Sequence, residues 1–357
     1  MKNKRRYIGI FGIDSFEKKN VHQVLFLNSI GITSDVFTSD RYGTSIENIP
    51  KGASLHVLSK SYLGRMVQII KYFLKNKNKL RHIEVYPGGR FAFHYILLAK
   101  LFNLKVIVVE RGDIFRRQRV DTLTRWSMDF CYQHADLVWY REFYPNMNVK
   151  DKLVSLGAKR VEFIHNSIEI QKPSRNNVTK EFTFLWANSL KHFRYPEWMV
   201  EILKNKSFSK TNNILIGIDD TMTSKSVVVK HKLIKEQSLA NLEIQGWVDP
   251  RKYYLSSSFF VLASDIVFLN NSLLESMSYG LIPIVSKVSG AELIVDDGVN
   301  GFLFDHSPKG LRKAMMKAMM LTASERVKMS EQAIIKIEKD FSRTTWNKKY
   351  LKMINSI

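Results

Sequence analysis

The chain reads as a two-domain α/β protein built on doubly wound parallel sheets, and three observations predict this. Its 357 residues exceed what one hydrophobic core usually serves. Short apolar runs alternate with helix-spaced segments through both halves. A polar stretch at 171–180, carrying Pro173, Ser174, Asn176 and Asn177, separates the halves as a linker would. Hydrophobic residues make up 45% and charged residues 25%, with 17 Gly and 8 Pro, so long disordered or collagen-like tracts are excluded. No short-period repeat or low-complexity tract interrupts the pattern.

The elements follow in order. Residues 7–11 form an apolar run ending in Gly12, and 21–30 has helical spacing closed by Gly31, a residue suited to a C-cap. The same alternation predicts strand 34–38, helix 63–74, strand 83–86, helix 91–102 and strand 105–109. Beyond the linker it predicts strand 182–186, helix 197–203, strands 214–218, 242–245 and 259–262, helix 273–279 and strand 282–286. The expected domains are 1–172 and 173–340, two Rossmann-like halves facing across a cleft, with 341–357 as a helix packing back on the first.

Fifty-five Lys and Arg against 33 Asp and Glu give a formal charge of +22, so nucleic acid, anionic lipid and phosphorylated substrates all suit the surface. No nucleic-acid recognition motif accompanies that charge. A single cysteine, Cys131, excludes an intrachain disulfide and suits either a reducing compartment or plain apolar packing. Lys2, Lys4, Arg5 and Arg6 lead to no apolar signal-peptide region, and the most apolar segment, 91–109, is broken by His94, Lys100, Asn103 and Lys105. These features predict a cytoplasmic protein, in peripheral contact with the inner face of the plasma membrane. Leu63, Met66, Val67, Ile70 and Leu74 form an apolar helix face, while Arg65, Lys71 and Lys75 lie elsewhere and Lys77, Lys79 and Arg81 follow. A basic amphipathic helix of this kind suits an anionic membrane, although a core-facing helix with a solvated rim has the same pattern.

The most informative segment begins at Asn270, Asn271, Ser272, Leu273, Leu274 and Glu275 and runs to a closing Gly280. It reads as a loop opening onto a helix, whose N-terminal N–H groups and dipole favour phosphate. A capping box, Ser272 with Glu275, explains the same two residues without a ligand. The turn and buried strand at 280–286 come next, then Gly290, Ala291, Glu292 and the run from Asp296 to Phe302. This stretch resembles the donor-binding signature of the retaining glycosyltransferases of family four, a GT-B group that includes bacterial polysaccharide and lipid-linked sugar transferases.

The resemblance implies roles residue by residue. Glu275 matches the glutamate that accepts hydrogen bonds from the ribose hydroxyls, and Ser272 and Leu273 match positions whose backbone N–H groups hold the diphosphate, with Asn270 and Asn271 in the same loop. Gly246 and Trp247 resemble the loop that contacts the base; packing accounts equally for Trp247. Arg194 falls on the lysine position of the phosphate clamp, and Lys191 lies close to Ser189, which falls on the arginine position. Solvated surface cations are the alternative for both. The family's first glutamate, eight positions before Glu275, is replaced by Val267, with Asp265 two residues earlier.

In the N-terminal half, Glu110, Arg111 and Asp113 follow the strand at 105–109, where ligands of open α/β sheets lie, and the resemblance makes them candidates for contact with the donor sugar or acceptor. An internal salt bridge explains them equally. Gly12, after the first strand, either lets a ligand approach the backbone or makes a turn. No Asp-x-Asp motif or Cys/His cluster has metal-ligand spacing. The expected activity is metal-independent, retaining transfer from a UDP- or GDP-linked sugar to a glycan or lipid-linked acceptor in surface polysaccharide assembly. A non-catalytic GT-B subunit that binds a partner transferase or glycan is the alternative.

Overall fold

The computed structural model describes residues 6–13, 18–39, 50, 52–143, 147–171, 182–218, 224–235 and 239–357, so the linker expected at 171–180 lies outside the described residues apart from Gln171. The chain forms two compact units: Met1–Glu142, Met147–Asn166 and Asn347–Ile357 make the first, and Phe143–Asn146 with Ser167–Trp346 make the second.

Unit 1 carries a seven-stranded parallel sheet in the order β3-β2-β1-β4-β5-β6-β7, formed by β1 (Tyr7–Phe11), β2 (Thr33–Ser39), β3 (Ala53–Leu58), β4 (Leu80–Val85), β5 (Val106–Glu110), β6 (Leu137–Tyr140) and β7 (Val161–Phe163). Its helices are α1 (Lys18–Ser29), α2 (Tyr62–Asn76), α3 (Phe93–Leu101), the single turn α4 (Asp113–Arg116), α5 (Thr122–His134) and α6 (Val149–Ser155). The sequence of β5, VIVVE, is buried throughout, as a strand covered on both faces must be. Three strands of this unit are not predicted from sequence: β3 is a half-exposed edge strand, β7 has only three residues, and β6, although buried throughout, has only four.

Unit 2 carries a six-stranded parallel sheet in the order β10-β9-β8-β11-β12-β13, from β8 (Thr183–Ala187), β9 (Asn212–Ile216), β10 (Leu242–Ile244), β11 (Phe259–Leu262), β12 (Ile282–Ser286) and β13 (Phe302–Phe304). The helices are α7 (Pro196–Leu203), α8 (Ser224–Lys235), α9 (Arg251–Ser256), α10 (Asn271–Ser278), α11 (Pro308–Met319) and α12 (Ala323–Phe341), and α13 (Arg343–Asn355) starts here but lies mostly in unit 1. Strands β8, β11 and β12 are buried at every position.

The last turns of α13 belong to unit 1, where they complete a buried polar network. The Tyr350 hydroxyl and the Gln23 amide both donate to the Glu84 carboxylate, which is fully buried on β4. Every polar group so enclosed needs its partner, so removing one strands a charge in the core.

Strand order reverses between β1 and β4 in unit 1 and between β8 and β11 in unit 2. Connections leave such a pair in opposite directions, and the gap beyond the carboxyl ends is where open α/β sheets take their ligands.

Candidate donor site and family

At the reversal in unit 2, the loop after β8 and the loop after β11 are tied together. Tyr195 N–H donates to the Ala263 carbonyl, Arg194 and Ser264 form an isolated antiparallel bridge, and the Asn270 amide donates to Asn188 Oδ1 at 2.8 Å. The second loop then delivers α10. Its N-cap is Asn270, whose Oδ1 accepts from Leu273 N–H at 2.9 Å. The capping role expected of Ser272 is therefore wrong: the helix starts earlier, Ser272 is already inside its first turn, and the capping box with Glu275 does not form. Glu275 is released from that explanation. It is half-buried, and its charge helps raise the phenols of Tyr254 and Tyr279, for both of which burial is the larger cause.

The cap also sorts the backbone donors. Leu273 N–H is engaged by Asn270, whereas the first-turn N–H groups of Asn271 and Ser272 have no carbonyl one turn back to receive them. Leu269, just before the cap, has a left-handed backbone with φ of 57°, an uncommon conformation for leucine and a strained one. Val267 is 0% exposed. Its side chain is part of the core, and a carboxylate placed there without rearrangement would be dry and unpaired.

Arg194 is half-buried. One terminal nitrogen, Nη1, donates to the Ser189 carbonyl at 2.8 Å and to its hydroxyl at 3.0 Å, while the buried Nε has no partner. Among the described residues no carboxylate pairs with it, and burial pulls its pKa down to about 10. A desolvated cation without a counter-ion is an anion site in waiting. Lys191 is exposed in the same loop. Asn188, which the sequence reading passed over, is 6% exposed and keeps an unpartnered Nδ2 beside Asn270. The signal for it was only its place, one residue past β8.

Two further groups stand at neighbouring strand ends. Gly246 accepts from Gly217 N–H at 2.8 Å, holding the loops after β9 and β10 together, and Trp247 beside it is 76% exposed. Packing does not account for that indole. Asp265 accepts from the Tyr195 hydroxyl at 3.0 and 3.1 Å and contacts His306 Nε2 at 2.9 Å; His306 Nδ1 in turn reaches Ser286 Oγ at 2.9 Å. Burial and the Asp265 hydrogen bond push the Tyr195 phenol up to about 12. This network braces the loop that precedes α10.

In unit 1, Glu110 and Asp113 stand at the end of β5 but form no salt bridge among the described residues. Glu110 is buried. One oxygen accepts from Gly112 and Ile114 N–H at 2.7 and 3.0 Å, and the other from the Tyr132 hydroxyl. Burial raises its pKa to about 7. Asp113 is buried too, with Oδ2 unpartnered and its pKa raised by desolvation. Gly12 has φ of +78°, and a Cβ there would sit 2.6 Å from the Tyr86 carbonyl. The close crossing of β1 and β4 thus demands the glycine by itself.

The comparisons agree with this architecture. Residues 195–320 match the family model for glycosyl transferases group 1. Anabaena HepE in complex with UDP is similar over 99% of this chain and 100% of its own, at 14% identity and a TM-score of 0.75. A glycosyltransferase from Rickettsia africae is similar over 99% of this chain and 98% of its own, at 14% identity and a TM-score of 0.76. The lipopolysaccharide outer core galactosyltransferase WaaB in its apo form shares 16% identity over 98% of this chain and 99% of its own, at a TM-score of 0.66. No curated protein matches the chain with significance. The chain has the GT-B fold of two Rossmann-like units, and residues 195–320, within its second unit, match the glycosyl transferases group 1 model.

Proposed function

We propose that the chain transfers a sugar from a UDP- or GDP-linked donor to a glycan or lipid-linked acceptor, with retention of configuration and without a bound metal, in surface polysaccharide assembly. The observation that carries the donor half is Arg194: a desolvated guanidinium with no carboxylate partner among the described residues, whose backbone bridges to Ser264 in the loop that opens α10. A diphosphate supplies the missing charge. Developing negative charge on a leaving diphosphate is stabilised by Arg194, by Lys191 and by the Asn271 and Ser272 N–H groups, each well-placed group being worth a few kcal/mol. Glu275 takes the ribose hydroxyls and Trp247 offers a face for the base. Anabaena HepE has been seen with UDP, with UDP-glucose, and with UDP and glucose together, which supports a nucleotide-sugar donor here.

A lipid-linked acceptor is supported by α2. Its core-facing residues are Ile69 and Phe73, while Leu63, Val67 and Leu74, at helical spacing on another side, are exposed, Leu63 by 76%. Neighbouring α3 adds exposed Leu97 and Leu101. No helix among the described residues is long and apolar enough to cross a membrane. An apolar stripe flanked by Lys71, Lys75, Lys77 and Lys79 fits a surface of anionic lipid. Co-sedimentation with phosphatidylglycerol vesicles, but not phosphatidylcholine, and its loss in Leu63→Glu, tests that contact.

The test of the whole reading is a thermal-shift screen of nucleoside diphosphates and their sugars, followed by donor hydrolysis. A UDP- or GDP-sugar raises Tm and is slowly hydrolysed, and Glu275→Ala lowers turnover about 10²–10⁴-fold, as loss of two hydrogen bonds to a charged acceptor implies. Absence of any nucleotide shift sinks it. Val267, buried where the family has its first glutamate, favours one rival: a non-catalytic subunit, which would bind nucleotide yet leave every donor intact.

A further inference from the structure

Unit 1 contains a second arginine in the condition of Arg194, and more deeply enclosed. Arg141 directly follows β6, is 2% exposed, and leaves both Nε and Nη2 without a hydrogen-bond partner. No carboxylate lies within ion-pair distance of it among the described residues; its guanidinium carbon rests 5.6 Å from the Trp139 ring centroid. Glu110 of β5 and Tyr140 of β6 are register partners, so the residues that follow them, Arg111 and Arg141, leave the sheet side by side. Arg111 lies over the Tyr86 ring at 4.9 Å, one residue past β4. The three positions mark the carboxyl ends of three adjacent strands.

An isolated guanidinium buried in this way costs several kcal/mol unless something compensates it. The nearby carboxyls compensate poorly. Asp113 keeps an unpartnered oxygen, and both it and Glu110 are shifted toward their neutral forms by burial. Arg141 therefore keeps unused, forked N–H donors at the sheet edge where ligands enter. Planar forked donors match carboxylate and phosphate oxygens, not isolated hydroxyls.

We infer that Arg141, with Arg111 beside it, binds an anionic group of the acceptor, a sugar carboxylate or a sugar phosphate, so that the acceptor is an acidic or phosphorylated glycan. This rests on the glycosyltransferase reading for the word acceptor, but the anion site stands on unit 1 alone.

The experiment measures binding to the full chain by calorimetry with UDP or GDP saturating, so that the Arg194 site is filled. The probes are methyl glucuronide, glucose 6-phosphate, inorganic phosphate and neutral methyl glucoside. The proposal expects at least one anionic sugar to bind about 10- to 100-fold tighter than methyl glucoside, and Arg141→Gln to erase that preference. Preference for the glucuronide identifies a carboxylate acceptor, and preference for glucose 6-phosphate or inorganic phosphate a phosphorylated one. Equal binding of the neutral and anionic sugars overturns the inference, as does a preference that survives in Arg141→Gln. Should Arg141→Gln fail to fold, Arg141→Lys and the half-buried Arg111→Gln replace it, each expected to weaken the preference while leaving the nucleotide-induced Tm shift. A missing nucleotide shift with an intact Arg141-dependent preference defeats the proposed function and spares the anion site; the reverse result defeats the anion site alone.

Discussion

The two sheets reverse strand order in the same way, yet their reversal points are furnished differently. In unit 2 the gap between β8 and β11 is bridged by side chains, Asn188 to Asn270, and opens onto the N-terminus of α10 with Arg194 alongside. In unit 1 the gap between β1 and β4 is closed by backbone, Gly12 against the Tyr86 carbonyl, and the charged groups stand further along the sheet, on the ends of β5 and β6. The comparison teaches that one topology furnishes its strand ends in two ways: with a helix terminus beside an arginine, and with a pair of strand-end arginines that have no long helix behind them.

The sharpest way to break the comparison is at Arg194. Arg194→Ala lowers turnover about 10²–10³-fold and weakens nucleoside diphosphates more than nucleosides, measured by donor hydrolysis and calorimetry, because one electrostatic contact to the leaving group is lost. An equal loss for nucleosides would show that the residue only props the loop. The corresponding change in unit 1, Gly12→Ala, acts on stability instead. Its φ of +78° and the clash with Tyr86 cost about 1–3 kcal/mol in urea unfolding, with nucleotide affinity unchanged.

Smaller effects sharpen the contrast. Trp247→Ala weakens the nucleotide about tenfold without moving the Tm of the unliganded protein, since the indole is exposed and a base stacked on an aromatic ring is worth about 1–3 kcal/mol. The last and smallest is a pH slope. Glu110 carries a raised carboxyl pKa of about 7 in the folded chain, above its value of 4.5 when free, so the folded state holds its proton longer. Its contribution is fully present below pH 4.5 and is lost as pH rises through about 7. Glu110→Gln, which keeps an acceptor for Gly112 and Ile114, flattens the fall in Tm across that window; an unchanged profile would assign the slope to another group.

Most of unit 2 was legible in the sequence because its central strands are continuous apolar runs and the segment that opens α10 is contiguous: 259–262 and 282–286 are strands at the predicted bounds, and α10 begins two residues before the predicted 273. The discrepancy is instructive. Ser272 and Asn270 are both good caps, and only the backbone path through the left-handed Leu269 decided for Asn270. In unit 1 the edge strands β3 and β7 are not legible because they are half-exposed and β7 is short, and β6 is not because four apolar residues are too few to separate a strand from the end of a helix.

Sequence alone determined the α/β alternation, the positive charge and the helix that opens near Asn270, since each depends on residues close together in the chain. Tertiary structure alone decided which cations are unpaired. Arg141 and Arg194 look like any of the other basic residues until the fold draws them out of water and, among the described residues, brings no carboxylate within reach, because ion pairing is a property of distance between elements and not of spacing along them. The same holds for Val267, whose burial turns an apparent gap in a motif into a piece of core.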